Sequence, residues 1–175
     1  MKLTKKLTNV LILVGVILGG IGIDQLTKIL VSRNMALYQS ISVIPKTFNI
    51  TYIQNRGAAF GMLANHRWVF MIVSTVAIIG MCIYLFRFCN EGTFFKVGLA
   101  LVISGGIGNM IDRVFLGYVV DMIEATFIET IFGWSFAIFN VADSFVCVGA
   151  GMVILRLVLD IIKESKNEVS KNENK

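Results

Sequence analysis

The sequence predicts an integral membrane protein, an all-α bundle of four transmembrane helices with a small extracytoplasmic β element between the first and second helices. Hydrophobic residues make up 56% of the 175 residues and charged residues only 15%, whereas a soluble domain usually carries about 25% charged residues. The apolar residues form long uncharged blocks, and a membrane-spanning helix needs roughly 20 such residues. We therefore expect one membrane domain over 1–163, followed by a cytoplasmic, disordered tail over 164–175.

Four segments are expected to span the membrane, namely 7–28, 67–87, 95–114 and 138–162. The net charge is +5, and many of the basic residues lie near one set of helix ends. The positive-inside rule makes these ends cytoplasmic. These basic residues are Lys2, Lys5, Lys6, Arg87, Lys96, Arg156, Lys163, Lys166, Lys171 and Lys175. Both termini are then cytoplasmic. The basic excess reflects topology and attraction to anionic lipids, and it does not indicate nucleic-acid binding.

Residues 38–63 differ in character from the helical segments. Phe48, Ile50 and Tyr52 alternate with Asn49, Thr51 and Ile53. This period of two favours a strand. An element of this size is too small to be stable alone, so we expect it to rest on the helices or on the membrane surface. The segment 116–137 is expected to be an extracytoplasmic loop, rich in aromatic residues, that covers a site.

Small residues suggest where helices pack closely. Gly15, Gly19 and Gly22 predict a packing face on the first helix, and Gly98 and Gly105 predict one on the third.

Metal or cofactor chemistry is not indicated by the sequence. Cys82, Cys89 and Cys147 lie in or beside the helices without the spacing of a metal site, and we interpret them as apolar packing residues. The single histidine, His66, is too few ligands for a zinc peptidase.

The number of membrane crossings places four carboxylates at one level of the membrane. With the N-terminus inside, the end of the first helix, the end of the third and the start of the fourth all reach the outer surface. Asp24, Asp112, Asp121 and Asp143 are therefore expected in one layer. Carboxylates in so apolar a chain are costly to desolvate unless they are paired, hydrated or used.

Two neighbouring carboxylates would share a proton, as in an aspartyl hydrolase. The protonated member can donate to a carbonyl oxygen while its partner takes a proton from water. Spacing alone does not identify the two acids. It leaves open that the acids form interfacial ion pairs with Lys28, Arg56 and Arg113, and that the pair Asp24–Lys28 either caps a helix or supports a site.

Two other classes of function are compatible with acids inside an apolar chain. Acids inside membrane helices often mark ion paths, so one alternative is a small ion-coupled transporter. The other is a membrane scaffold protein whose outer β element binds a partner. Neither explains two carboxylates in apolar surroundings at one face of the membrane as directly as hydrolysis does.

Five motifs in order resemble the lipoprotein signal peptidases (signal peptidase II) of bacteria. They are Asp24-Gln25-Leu26-Thr27-Lys28, Asn55-Arg56-Gly57-Ala58-Ala59-Phe60, Gly108-Asn109-Met110-Ile111-Asp112-Arg113, Val119-Val120-Asp121 and Phe139-Asn140-Val141-Ala142-Asp143-Ser144. The family more often has phenylalanine where this chain has Met122.

The resemblance implies roles that spacing could not assign. It implies that Asp121 and Asp143 are the catalytic dyad of an aspartic endopeptidase without a metal or other cofactor. The implied supporting and substrate-binding residues are Asp24, Lys28, Asn55, Gly57, Asn109, Asp112, Arg113, Asn140 and Ala142. The implied substrate is a diacylglyceryl-modified prolipoprotein, cleaved on the N-terminal side of its lipidated cysteine. Membrane lipids are the other partners, and we expect a monomer.

Overall fold

In a computed structural model, the described part of the chain forms four long helices with a three-stranded sheet against α1 and α3. The structure describes residues 2–57 and 67–173, so 58–63 of the predicted β element lie outside the described residues. The elements are α1 (Lys2–Asn34), β1 (Ser40–Ile44), β2 (Phe48–Asn55), α2 (Arg67–Ile83), a π-helical turn (Tyr84–Phe88), α3 (Thr93–Phe115), β3 (Val119–Glu124), α4 (Thr126–Phe132) and α5 (Val141–Glu173).

Four of the helices are long and apolar enough to cross a membrane, over Leu7–Asn34, Met71–Phe88, Thr93–Phe115 and Val141–Asn167. Helix α3 is the most buried of the four and packs against α1, α2 and α5. The outer helices expose apolar side chains, as a surface in contact with lipid requires. The predicted fold class, a four-helix membrane bundle with a small β element, is confirmed.

The segment 116–137 is more ordered than the predicted loop, because it contains β3 and α4. The sheet is antiparallel in the order β1-β2-β3, and its register places Ile53 opposite Asp121 and Asn55 opposite Val119. Strand β3 escaped the sequence analysis because its first four residues are all buried, so they show no alternation of apolar and polar positions.

The predicted disordered tail differs from the structure, in which α5 continues as a helix through Glu173. The residues from 164 onward are mostly Lys, Glu, Asn and Ser. Lys and Glu are good helix formers, and adding residues to an existing helix avoids the cost of nucleation. The polar composition therefore did not predict the conformation of 164–173, and residues 174 and 175 lie outside the described residues.

Helices α3 and α5 approach so closely that glycines on one helix lie against backbone atoms of the other. A Cβ on Gly98 would lie 2.9 Å from the carbonyl oxygen of Gly149, and a Cβ on Gly105 would overlap the carbonyl oxygen of Ala142. The packing role predicted for Gly98 and Gly105 is therefore confirmed.

The packing face predicted for α1 was wrong. Gly15, Gly19 and Gly22 have open space where a Cβ would lie, and the close contact is made by Gly20 against Ser104 of α3. Helix α1 buries a different stripe, which consists of Leu13, Ile17, Gly20, Asp24 and Lys28. These residues recur every three or four positions, so they share one face of the helix. The stripe leads from the apolar core directly to two buried charges.

Replacing Gly105 should separate α3 from α5. We expect Gly105→Ala to lower the free energy of unfolding by about 1–3 kcal/mol, because the added methyl group overlaps the Ala142 carbonyl oxygen. Gly19→Ala is the matched control, since its Cβ meets nothing and alanine is the better helix former. Thermal unfolding in detergent measures both variants. Equal stability of the two would contradict the proposed packing.

Candidate active site

A buried lysine organises the polar end of the bundle. Asp24 and Lys28 lie one turn apart on α1, with 0% and 2% of their surfaces exposed. Lys28 Nζ is 2.9 Å from Asp24 Oδ2, 3.1 Å from Asp112 Oδ2 on α3 and 3.0 Å from Asn109 Oδ1. An ammonium group has three N–H donors, so all of its donors are used.

The two carboxylates that flank Lys28 receive further donors from α1 itself and from two other elements, β3 and α5. Gln25 Nε2 bridges Asp24 Oδ2 and Asp112 Oδ1 at 3.1 and 3.0 Å, and it also donates to the Gly108 carbonyl oxygen. The backbone N–H of Ala142 donates to Asp24, and that of Val120 donates to Asp112. Every carboxylate oxygen in the cluster therefore accepts a hydrogen bond, which buried ionised groups require.

The pair Asp24–Lys28 lies inside the protein. The pair is not an exposed helix cap, because it is buried and joins α1 to α3, β3 and α5. The sequence analysis missed two participants, Gln25 and Gly108. A Cβ on Gly108 would lie 2.5 Å from Asp24 Oδ2, so only glycine leaves room for the carboxylate.

Asp121 and Asp143 reach the same point from different elements and meet at Asn140. Asp121 lies on β3 and is 1% exposed, whereas Asp143 lies half-buried in the first turn of α5. Asn140 Nδ2 donates to Asp121 Oδ1 at 2.7 Å, and the Asn140 backbone N–H donates to Asp143 Oδ2 at 3.2 Å. One fully buried amide thus contacts both carboxylates.

The local sequence explains why Asn140 and Asp143 are held together. Asn140 immediately precedes α5, and its Oδ1 accepts the backbone N–H of Asp143 at 2.9 Å. Together with the return bond from the Asn140 backbone to the Asp143 carboxylate, this forms a reciprocal capping box. Backbone pairing between Phe139 and Ile123 then fixes this helix start against β3.

Two more asparagines hold the outer oxygens of the two carboxylates. Asn55 Nδ2, at the end of β2, donates to Asp121 Oδ2 at 3.0 Å, and Asn55 Oδ1 accepts the Gly57 backbone N–H. Asn109 Nδ2 donates to Asp143 Oδ1 at 2.7 Å. Arg113 lies one turn beyond Asn109 and donates to the backbone carbonyl oxygen of Asn109. The residues that the sequence analysis singled out therefore converge on one site, whereas Arg56 remains exposed.

Burial makes Asp121 a weaker acid than an ordinary aspartate. Loss of solvation raises the pKa of Asp121 to about 6, although the N–H donor of Asn55 acts in the opposite direction. The negative charge of Asp143 raises this pKa further, while the donor of Asn140 lowers it. Asp121 therefore retains its proton at a pH where an ordinary aspartate is fully ionised.

The two carboxylates open onto a cavity of about 540 Å³. Its polar end is lined by Asn55, Asn109, Arg113, Asp121 and Asp143. The remaining wall is mainly apolar and consists of Val119, Phe136, Ala137, Ile138, Phe139, Ser144, Val146, Cys147 and Val148. Cys147 is exposed on this wall, so the prediction of a packing role holds better for Cys89, which is buried in the core.

The Lys28 cluster predicts a large loss of stability when its cation is removed. We expect Lys28→Met to lower the free energy of unfolding by about 3–5 kcal/mol, because Asp24 and Asp112 would remain buried without a counter-charge. Asp160→Asn serves as the control, since it breaks the more exposed Arg156–Asp160 pair and should cost less than about 1 kcal/mol. Chemical unfolding in detergent measures both. Similar small losses would contradict a buried, charged cluster.

Comparisons with known proteins agree on one family. The sequence profile described as Signal peptidase (SPase) II matches residues 16–159. Lipoprotein signal peptidase of Streptococcus thermophilus (strain CNRZ 1066) is 48% identical over 141 residues, which cover 81% of this chain and 88% of that relative. Lipoprotein signal peptidase of Halalkalibacterium halodurans is 40% identical over 146 residues, covering 83% and 91%.

A solved bacterial membrane enzyme has the same fold, with a TM-score of 0.75 and 36% sequence identity over 88% of this chain and 89% of that enzyme. Sequence and fold therefore agree over most of the chain, including all the residues that line the polar end of the cavity. The chain belongs to the signal peptidase II family of membrane peptidases.

Proposed function

We propose that this peptidase removes signal peptides from lipoproteins as an aspartic endopeptidase, with Asp121 and Asp143 as a catalytic dyad that activates water. Membership in the signal peptidase II family supports the removal of signal peptides from lipoproteins. The observation that carries the proposed chemistry is the shared contact of both carboxylates with Asn140 at the polar end of the cavity.

Asp121 is the acid and Asp143 the base in this proposal. Burial keeps the proton on Asp121, whose pKa is raised to about 6. Asp143 lies in the first turn of α5, where the N–H donors of Asn109 and Asn140 and the positive end of the helix dipole stabilise a negative charge.

The reaction proceeds in two steps with the protons balanced. Asp143 takes a proton from water as the water oxygen attacks the peptide carbonyl carbon, and Asp121 donates its proton to the carbonyl oxygen. The resulting gem-diol collapses when Asp143 passes its proton to the amide nitrogen and the C–N bond breaks. Asp121 then recovers its proton from the diol, which leaves a carboxyl group on one product.

The cavity supports a substrate that is part peptide and part lipid. Arg113 lines the cavity beside the dyad, where its guanidinium can hold a peptide carbonyl group, whereas the amides of Asn55 and Asn109 hold the dyad itself. The apolar wall continues to Val148, which is exposed on the membrane-spanning part of α5. In this proposal a diacylglyceryl-modified prolipoprotein enters sideways from the bilayer and is cut on the N-terminal side of its lipidated cysteine.

The orientation in the membrane follows from charge. Lys2, Lys5 and Lys6 precede the first apolar block, and further basic residues follow the last one. The positive-inside rule then makes both termini cytoplasmic and puts the dyad near the outer face. An outer position suits a substrate whose signal peptide still spans the membrane.

The proposed reaction predicts cleavage of a synthetic diacylglyceryl-cysteine peptide by the purified protein in the presence of EDTA. Asp121→Asn and Asp143→Asn should each reduce kcat by at least about 100-fold, because each removes one proton-transfer group. Mass spectrometry of the products locates the cut, and thermal unfolding shows that the variants remain folded. Full turnover by either folded variant, or loss of cleavage in EDTA, would contradict the dyad mechanism.

The raised pKa of Asp121 predicts the alkaline limb of the pH profile. Asp121 is protonated below its pKa of about 6 and ionised above it, so kcat should fall as the pH rises through that region. Asn55→Ala removes a donor that favours the ionised form, so the limb should move to higher pH by about one unit. Asn49→Ala is the matched control on β2, because Asn49 donates to Glu124 instead. An identical limb in the wild type and Asn55→Ala would be evidence against Asp121 as the acid.

A further inference from the structure

We propose that Lys28 is a positioning residue that fixes the amide orientation of Asn109 and, through Asn109, helps to fix that of Asn140. In this orientation each asparagine presents an N–H group to one member of the dyad. The inference rests on the proposed function, because it assigns Lys28 a role in preparing Asp121 and Asp143 for proton transfer.

The orientation of Asn109 follows from the chemistry of its neighbours. An ammonium group has no acceptor, so the Asn109 atom that lies 3.0 Å from Lys28 Nζ must be the carbonyl oxygen Oδ1. The amide nitrogen then points the other way and lies 2.7 Å from Asp143 Oδ1. A flipped amide would set N–H groups against the ammonium and an oxygen against the carboxylate, which are two repulsive contacts.

Asn109 Oδ1 adds a further acceptor for the amide of Asn140, whose orientation is also set by Asp121 and the Asp143 backbone. One Asn140 amide atom lies 3.0 Å from Asn109 Oδ1 and 2.7 Å from Asp121 Oδ1, and since both of these are acceptors it must be Nδ2. The other amide atom of Asn140 accepts the backbone N–H of Asp143 at 2.9 Å. A single combination of the two amide orientations therefore satisfies all of these contacts.

Lys28 can impose this orientation because its own position is fully determined. Its other two donors are held by Asp24 and Asp112, and the ammonium is buried. Among the contacts of the described residues, these two carboxylates make no hydrogen bond to the side chains of Asp121 or Asp143. They hold the backbone N–H groups of Ala142 and Val120 beside the dyad, and they fix the position of the Lys28 ammonium. Low dielectric strengthens each bond of such a network and makes a wrongly turned amide costly.

The consequence for catalysis is a matter of charge. The Asn109 donor stabilises Asp143 as a carboxylate, which is the form that takes a proton from water. An amide oxygen in the same place would instead favour a protonated Asp143, which cannot act as the base.

The decisive variant is Asn109→Asp, which has nearly the same shape but no N–H donor. It keeps an oxygen acceptor for Lys28 and puts a second oxygen against Asp143. We expect kcat on the diacylglyceryl-cysteine peptide to fall at least tenfold with KM nearly unchanged, since a hydrogen bond to a charged group is lost. The acidic limb of the pH profile should move to higher pH, because a second carboxylate beside Asp143 favours the protonated form of the base.

A second variant tests Lys28 without stranding buried charges. The triple variant Asp24→Asn, Lys28→Met, Asp112→Asn removes all three charges of the cluster and leaves side chains of similar size. We expect a folded triple variant, one whose thermal unfolding in detergent matches that of the wild type, to have a kcat at least tenfold lower. The reason is that Asn109 Oδ1 has then lost its charged donor and keeps only Asn140 Nδ2.

The outcomes separate the inference from the proposed function. Absence of cleavage by the folded wild type, or unchanged activity in Asp143→Asn, would overturn the proposed function and this inference with it. Normal cleavage by the wild type with an unchanged kcat and pH profile in Asn109→Asp would overturn only the role of Lys28. Parallel losses of kcat and unfolding temperature in Asn109→Asp without a shift in pH profile would also overturn it, as would wild-type kcat in a folded triple variant.

Discussion

The structure of the polar end depends on one ammonium group between two carboxylates. Lys28 joins α1 to α3 through Asp24 and Asp112, and backbone N–H groups tie those carboxylates to β3 and α5. Four elements therefore meet at one point, and their contributing residues range from Asp24 to Ala142, 118 positions apart. Taking these charges out of water is costly, and the cluster is tolerable only because each oxygen has a donor. Apolar contacts alone would not favour one alignment of these helices and strands so strongly.

Close packing of α3 against α5 helps to set the position of the dyad. The contact of Gly105 with the Ala142 carbonyl fixes where α5 begins, and the capping box then holds Asp143 one turn inside it. Asp121 arrives on a strand whose register is set by β2. The two acids are thus carried by a helix start and a strand, which are more rigid supports than loops. A pair that must exchange protons with one water molecule needs this precision.

The sequence predicted the parts of this arrangement that depend on composition and order. Uncharged blocks and charge bias were enough for four helices and for one level of carboxylates, and the ordered motifs indicated which residues matter. What failed were features that depend on neighbours distant in the chain. Strand β3 is buried on both faces and shows no alternation, and the contacts of Gln25 exist only because Asp112 lies across the α1–α3 interface. Gly20, rather than the more regular glycines of α1, faces Ser104 for the same reason.

Burial keeps a proton on one acid of the site, and asparagines hold the carboxylate of the other. An apolar environment keeps a proton on Asp121, as an acid that works near pH 6 requires. Asn109 and the Asn140 backbone donate hydrogen bonds to Asp143, and these neutral groups add no charge to the site. Two cations lie close by, since Arg113 lines the cavity and Lys28 lies behind Asn109. Neither forms a salt bridge with Asp121 or Asp143 among the described residues, so the charge of Lys28 can orient an amide without forming an ion pair with the acids that react.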